Sequence, residues 1–148
     1  MFARLNPPII YQSFIVLMIV ICLALPATRV IPFPANLAGI PLFLIGAYIA
    51  SSAKKQFQEK NIPIRPQDTP TVLDTDGAFR YTRNPMYVGI AIGLIGLAVL
   101  MRSYINFAFP VVFLIVMDVA FVRREEEILE DQLGDEYLAY KARIRRWI

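Results

Sequence analysis

The chain has 148 residues, of which 57% are hydrophobic and 18% are charged, and its formal net charge is +3. This is more apolar mass than a soluble domain of this length can bury, so the composition predicts a membrane protein. There is no histidine, and the single Cys22 lies inside an apolar run. Disulfide frameworks and the usual zinc, copper and haem sites therefore lack ligands, and we expect no metal site. The small net charge argues against a nucleic-acid partner.

Four apolar stretches predict four transmembrane helices, because each approaches the roughly 20 residues that cross a bilayer core. The amino-terminal stretch has one early positive charge, Arg4, and no small-residue cleavage site, so it is expected to be a retained span, not a signal peptide. In chain order the predicted spans are residues 9–25, 35–53, 86–101 and 105–122.

The positions of lysine and arginine predict the orientation of these spans, because basic residues near span ends favour the cytoplasmic side. Thirteen of the fifteen lie near the amino terminus, in the central segment or in the tail, and the exceptions are Arg29 and Arg102. Both termini and the central segment are therefore predicted to be cytoplasmic. We expect an integral multi-pass protein of a bacterial or archaeal cell membrane.

Two polar regions complete the predicted all-α architecture. Residues 54–85 are predicted to form a long cytoplasmic loop, because this segment is polar and contains Pro63, Pro66 and Pro70. Residues 123–148 form a cytoplasmic tail, whose apolar residues recur at helical spacing from Leu133 to Trp147. That spacing predicts an amphipathic helix, lying on the membrane surface or on the protein's own core. The whole chain is predicted to be one domain, with two helical hairpins and this terminal helix.

The last two spans form a hairpin whose ends both return to the cytoplasmic side, which predicts that two polar clusters meet there. One cluster precedes the third span and the other follows the fourth.

Asp118 lies about one turn from the end of the fourth span; it is either functional, as intramembrane charges often are, or paired with a nearby arginine. Gly89, Gly93 and Gly96 share one face of the third span, which favours close helix packing, although the same face also has room for a cofactor or lipid.

These clusters resemble a known family of enzymes. The run from Arg83 to Gly89 (RNPMYVG), followed by a hydrophobic hairpin and then Glu125-Glu126, is similar to the signature of the isoprenylcysteine carboxyl methyltransferase and phospholipid methyltransferase superfamily. The similarity extends over about residues 60 to 148. Eukaryotic carboxyl methyltransferases typically have histidine where this chain has Asn84, so the resemblance does not identify the methyl acceptor.

The resemblance implies an S-adenosylmethionine-dependent methyltransferase that acts on a lipophilic or amphipathic substrate at the cytoplasmic face, with S-adenosylhomocysteine as product. Arg83, Asn84 and Glu126 are the expected catalytic residues. The cofactor carries a sulfonium, an amino-acid head group and an adenine ring, which call for carboxylates, polar donors and aromatic walls. The expected cofactor-binding residues are Tyr81, Arg83, Asn84, Pro85, Tyr87, Gly89, Glu125 and Glu126.

Three alternatives stay open at this stage. The first is phospholipid N-methylation, and the second is a non-enzymatic four-helix protein such as an exporter or scaffold. The third is a reductase with a nicotinamide cofactor, for which the sequence has no separate signal. An exporter is expected to place its essential charge at mid-membrane, whereas this sequence concentrates its polarity at one interface. The partners expected are the lipid bilayer and a lipophilic substrate; the oligomeric state is not predicted.

Overall fold

The computed structural model describes residues 7–60 and 73–148, and the part of the chain that it describes is built from helices. The long helices are α1 (Pro7–Ala24), α2 (Gly39–Glu59) and α3 (Pro85–Leu100). A further continuous helix consists of α4 (Ala108–Met117), a π-helical segment (Asp118–Val122) and α5 (Arg123–Leu133), and α6 (Asp135–Arg143) follows it. The all-α prediction is confirmed for the described residues.

Within residues 7–60 and 73–148, three helical stretches are long and apolar enough to cross a membrane: Pro7–Ala24, Ala35–Glu59 and Ile105–Leu133. The third predicted span, α3, is apolar but has only 16 residues. At 1.5 Å per residue it covers about 24 Å, which is less than a hydrocarbon core of about 30 Å. Large apolar side chains lie exposed along α1 and α2, including Val16, Leu23, Leu44 and Tyr48, as expected for a surface in contact with lipid.

Glycines place α2 and α3 in backbone contact. A Cβ atom added to Gly46 would lie 2.4 Å from the nitrogen of Gly93, and one added to Gly89 would lie 2.6 Å from the nitrogen of Ala50. Only residues without side chains allow two helices to approach so closely, as is common in membrane proteins. The tight α2–α3 contact fixes the start of α3, where the candidate site lies.

At the opposite end of the molecule, polar contacts join the connection between α1 and α2 to the turn between α3 and α4. The hydroxyl groups of Thr28 and Ser103 lie 2.9 Å apart, and the Val30 amide donates to the Arg102 carbonyl at 2.8 Å. Nearby, the buried Asn106 side chain donates to the Met18 carbonyl. These contacts satisfy backbone groups where the helices end.

The polar segments differ from the sequence expectation in two places. Helix α2 continues through Lys54 and Lys55 to Glu59, although the loop was expected to begin at residue 54. The expected helix from Leu133 to Trp147 is interrupted at Gly134, where φ is +51°, and α6 ends at Arg143. The expectations for Arg4 and for the prolines at 63, 66 and 70 lie outside the described residues.

Helix α6 packs against the protein. Tyr137 and Tyr140 are 2% and 3% exposed, and the Tyr140 hydroxyl donates to the Phe79 carbonyl at 2.8 Å. The sequence left open whether the terminal helix lies on the membrane surface or on the protein's own core, and the structure places α6 on the protein's core. This contact brings the end of the chain back to the start of α3.

Candidate functional site

The start of α3 and the start of α5 come together at the polar end of the hairpin. Pro85 is the first residue of α3, where its fixed φ suits the helix and its missing N–H is not needed. Arg83 therefore lies just before the helix, and Nη1 of Arg83 is 3.0 Å from Oε1 of Glu126. Residues more than forty positions apart thus form a direct ion pair, and the two polar clusters meet as the hairpin predicts.

Glu126 is the most enclosed charge in this cluster, with 4% of the residue exposed. Besides Arg83, it binds Arg146 through two parallel hydrogen bonds: Nε to Oε1 at 3.0 Å and Nη2 to Oε2 at 2.7 Å. Two guanidinium groups therefore share one carboxylate. A buried carboxylate requires such partners, because leaving it unpaired in an apolar interior carries a large desolvation cost.

Asp118 extends the cluster into the fourth span. Its Oδ1 accepts from Nη1 of Arg146 at 2.9 Å, and its Oδ2 accepts from Nε of Arg123 at 2.7 Å. Asp118 is the first residue of the π-helical segment, a local widening that is frequent near functional sites. Of the two roles that the sequence left open, the structure gives Asp118 the arginine pairing.

The last residues of the chain, 144–148, cross over the start of α3, and we call them the C-terminal strap. The Arg83 amide donates to the Arg145 carbonyl at 3.0 Å. The Arg146 carbonyl accepts from the Thr82 hydroxyl at 3.0 Å and from the Asn84 side-chain amide at 3.1 Å. The polar groups of the sequence motif are thus bound to this strap.

One buried donor of Arg83 has no partner among the described residues. The side chain is 10% exposed, and its Nη1 also lies 3.4 Å from the Tyr137 hydroxyl, whereas its Nε has no partner among the described residues. Burial raises the pKa of Tyr137 to about 12, so its hydroxyl keeps its proton at neutral pH. A buried guanidinium with an unused N–H is suited to bind an anionic ligand.

Some of the remaining predicted site residues lie next to the cluster, and others lie away from it. The Tyr87 hydroxyl donates to Oε1 of Glu125 at 3.4 Å, so this pair adjoins the cluster. Tyr81 is 80% exposed and lies outside it. Gly89 faces the backbone of α2, which accounts for a glycine there by packing; its predicted role in cofactor binding stays a prediction.

Sequence reasoning missed Arg146 as a member of the site, together with Thr82 and Tyr137. The tail has four arginine and lysine residues after Tyr140, and nothing in their spacing distinguishes the one that reaches Glu126. Tyr137 had a usable signal, because it lies at helical spacing from Leu133 and Tyr140 on the apolar face of the tail.

A separate cleft of about 320 Å³ lies beside the cluster, between α6 and the segment before α3. It is lined by Thr75, Asp76, Arg80, Tyr140, Arg143 and Ile144. At its edge, Lys60 bridges the carboxylates of Asp74 and Asp76, at 2.8 and 2.9 Å. These ion pairs tie the end of α2 to the segment that leads into the motif.

Comparison with known proteins shows similarity to methyltransferases over most of the chain. A family model described as phospholipid methyltransferase matches residues 35–136. Protein-S-isoprenylcysteine O-methyltransferase of Schizosaccharomyces pombe is 30% identical over 105 residues, which are 68% of this chain and 43% of that protein. An uncharacterized protein of Haemophilus influenzae is 30% identical over 63 residues, 43% of this chain and all of that protein. The family match includes Arg83 and Glu126 and ends before the C-terminal strap.

Proposed function

Because the chain belongs to the phospholipid methyltransferase family, we propose that it transfers the methyl group of S-adenosylmethionine to a lipophilic or amphipathic substrate at the cytoplasmic face of the membrane. The observation that carries this proposal is the buried Arg83–Glu126 pair. It lies where the apolar α4 and its π-helical segment continue into the charged α5. A site at such a boundary is open to a water-soluble cofactor from one side and a lipid-borne substrate from the other.

The residues present fit the head group of this cofactor. Its amino acid carries a carboxylate, for which the unpartnered Nε of Arg83 is a matching donor. Its ammonium and sulfonium are cations, for which the enclosed carboxylate of Glu126 is a matching partner. Asn84 adds an uncharged group that both donates and accepts hydrogen bonds. We assign Arg83, Asn84 and Glu126 to the cofactor's head group, and the neighbouring Tyr87–Glu125 pair to its remaining polar groups.

When bound, S-adenosylmethionine would supply a methyl group that is activated by its bond to a positively charged sulfur. The protein's part in the methyl transfer is to hold the reactants in line and to exclude water. Burial of Glu126 and Arg83 serves both purposes, because enclosed charges orient a ligand more strongly than solvated ones. The chain has no histidine. A carboxylate acceptor needs no general base at neutral pH, whereas an ammonium acceptor would have to lose its proton to a carboxylate, a tyrosine or solvent.

Cofactor binding tests the proposal directly. Calorimetric titration of the purified protein with S-adenosylhomocysteine is expected to show binding that Arg83→Ala and Glu126→Ala each weaken at least about tenfold, since each removes a charged hydrogen-bond partner. Arg80→Ala is the matched control, because Arg80 has a side chain that is 69% exposed and pairs only with Asp76 among the described residues. Equal binding by all four proteins would refute the assignment.

The acceptor is identified by the product. Membranes containing the protein are incubated with S-adenosylmethionine labelled in its methyl group, and the label is then extracted. Label that is released by mild base as methanol indicates a carboxyl methyl ester. Label that stays with a phospholipid head group indicates N-methylation, the reaction that competes with carboxyl methylation here.

We also propose that α3 crosses the membrane together with the three longer helices, with both termini cytoplasmic. Tyr104 lies in the turn before α4 and is 57% exposed, and Arg143 ends α6 at the opposite end. In a Cys22→Ala background, Tyr104→Cys is expected to react with a membrane-impermeant maleimide in intact cells. Arg143→Cys is expected to react only after lysis. The reverse labelling, or labelling of both in intact cells, would contradict this topology.

A further inference from the structure

The C-terminal strap occupies the same polar groups that the proposed function assigns to the cofactor. Both oxygens of Glu126 bind the guanidinium of Arg146, and the side-chain amide of Asn84 binds the Arg146 carbonyl. A carboxylate that already holds two guanidinium groups has little capacity left for a third cation.

We propose that the strap is a gate, and that the Arg146 guanidinium holds Glu126 until the cofactor's cationic head group displaces it. This inference rests on the proposed function and adds a regulatory step to the same site. The exchange is chemically matched: one cation leaves the carboxylate and another takes its place, so the buried Glu126 is never without a partner. No covalent bond changes in this step.

The strap is the part of the site best suited to move. The motif side of the site begins α3, which is fixed against the α2 backbone, and Glu126 lies within a continuous helix. The strap begins where α6 ends, with Ile144 in an extended conformation (φ −114°, ψ 129°). It is bound here by three hydrogen bonds to Thr82, Arg83 and Asn84, by the ion pairs of Arg146 and by packing of Trp147 against the apolar core. All of these contacts come from a short segment outside the helices, so the strap can open while the helices stay folded.

Asp118 gives the displaced arginine a second partner. Arg146 binds Asp118 through Nη1, an atom that takes no part in the contact with Glu126. When the pair with Glu126 opens, Arg146 keeps this contact or enters water, since its side chain is already 31% exposed. The gate thus opens without burying an unpaired charge.

Replacing Arg146 is predicted to strengthen the binding of S-adenosylhomocysteine. If the closed strap competes with the cofactor, the measured dissociation constant is the intrinsic one divided by the fraction of open protein. Arg146→Gln removes the ion pair with Glu126 and raises that fraction, so calorimetry is expected to show S-adenosylhomocysteine binding about tenfold tighter than in the wild type. Arg145→Gln is the control, because it removes the same charge from the neighbouring residue, whose side chain is exposed. Its affinity is expected to match the wild type.

The wild-type protein provides an independent readout. Trp147 is the only tryptophan in the chain, and it lies in the strap, packed against the apolar core. Opening of the strap moves this ring towards water, so titration with S-adenosylhomocysteine is expected to shift the tryptophan emission to longer wavelength. The midpoint of the shift is expected to equal the calorimetric dissociation constant.

The outcomes separate the two proposals. Weaker binding by Arg146→Gln, or saturable binding with unchanged Trp147 emission in the wild type, would overturn the gate and leave the methyltransferase assignment standing. Absence of binding in the wild type and in both variants would overturn the proposed function and the gate with it. Tighter binding by Arg146→Gln together with the emission shift supports both.

Discussion

Replacing Gly89 by alanine tests whether this glycine serves helix packing or cofactor binding. The added Cβ would lie 2.6 Å from the nitrogen of Ala50 and 2.7 Å from the carbonyl oxygen of Gly46. Ordinary contact begins at about 3.4 Å, so α2 and α3 must separate by about 0.8 Å. Both obstructing atoms belong to a helix backbone, which cannot yield locally. We expect a loss of about 3 kcal/mol in the free energy of unfolding, the upper end of the range for overpacked sites.

Gly93→Ala is the matched control, on the same helix and one turn further on. Its added Cβ meets only a side-chain atom of Phe43 at 3.8 Å, which is ordinary contact. Since alanine is the better helix former by about 1 kcal/mol, this variant is expected to equal or exceed the wild type in stability. Thermal unfolding in detergent, followed by circular dichroism, measures both. Equal midpoints for the two variants would refute the packing argument. Loss of S-adenosylhomocysteine binding by a fully stable Gly89→Ala would instead assign Gly89 to the cofactor site.

Two further predictions concern the surroundings of the cluster, and the same unfolding measurement checks both. Tyr140→Phe is expected to cost about 1–3 kcal/mol, because it leaves the buried Phe79 carbonyl without its 2.8 Å donor. Tyr137→Phe is expected to cost less, about 0.5–1 kcal/mol, because the lost contact is 3.4 Å long; a reversed order would contradict the geometry. Asp118→Asn is expected to cost about 1 kcal/mol, since both of its arginine partners are partly solvated. Asp131→Asn, on the exposed face of α5, is expected to stay within about 0.5 kcal/mol of the wild type, and an equal loss in both variants would show that the pairs of Asp118 contribute nothing measurable.

The sequence was sufficient to predict the helical hairpin and the meeting of two polar clusters at its end. Both follow from two simple features: apolar stretches of similar length, and polar residues at the ends that face the same way. The family resemblance then selected Arg83 and Glu126 within these clusters. Pro85 also marks the start of α3 correctly, because proline suits the first helical position and little else in a helix. These signals are local, so they can be read without knowing how the chain packs.

The boundaries that hydropathy predicts are boundaries of polarity, not of the helix. Lys54 and Lys55 are too polar for a bilayer core, and yet α2 continues through them to Glu59. A helix that leaves the membrane satisfies its own backbone hydrogen bonds and has no reason to end there. The same principle explains why the charged α5 continues the apolar α4.

Arg146 was beyond prediction because its position depends on two turns of the chain in succession. Gly134 adopts a positive φ that separates α5 from α6, and α6 must then pack through Tyr137 and Tyr140 before the strap can reach α3. Periodicity predicts one uninterrupted helix across this region. In such a helix Arg146 would lie on the polar face and not at Glu126. The pairing of Asp118 with Arg146 depends on the same path, and also on a π-helical turn that has no distinct signature in the sequence.

The charges of the cluster indicate what the site can accept. Arg83, Arg123 and Arg146 surround the two carboxylates of Asp118 and Glu126, so this group carries one excess positive charge. Nε of Arg83 is a buried donor that has no partner among the described residues. If the proposed assignment holds, a ligand that carries both a carboxylate and a cation is expected to fit this arrangement better than a simple anion or cation, because the carboxylate would meet Arg83 and the cation would replace Arg146 at Glu126. Under the proposed function, selectivity for an amino-acid head group over a bare adenosine is expected to depend on Arg83 and Glu126.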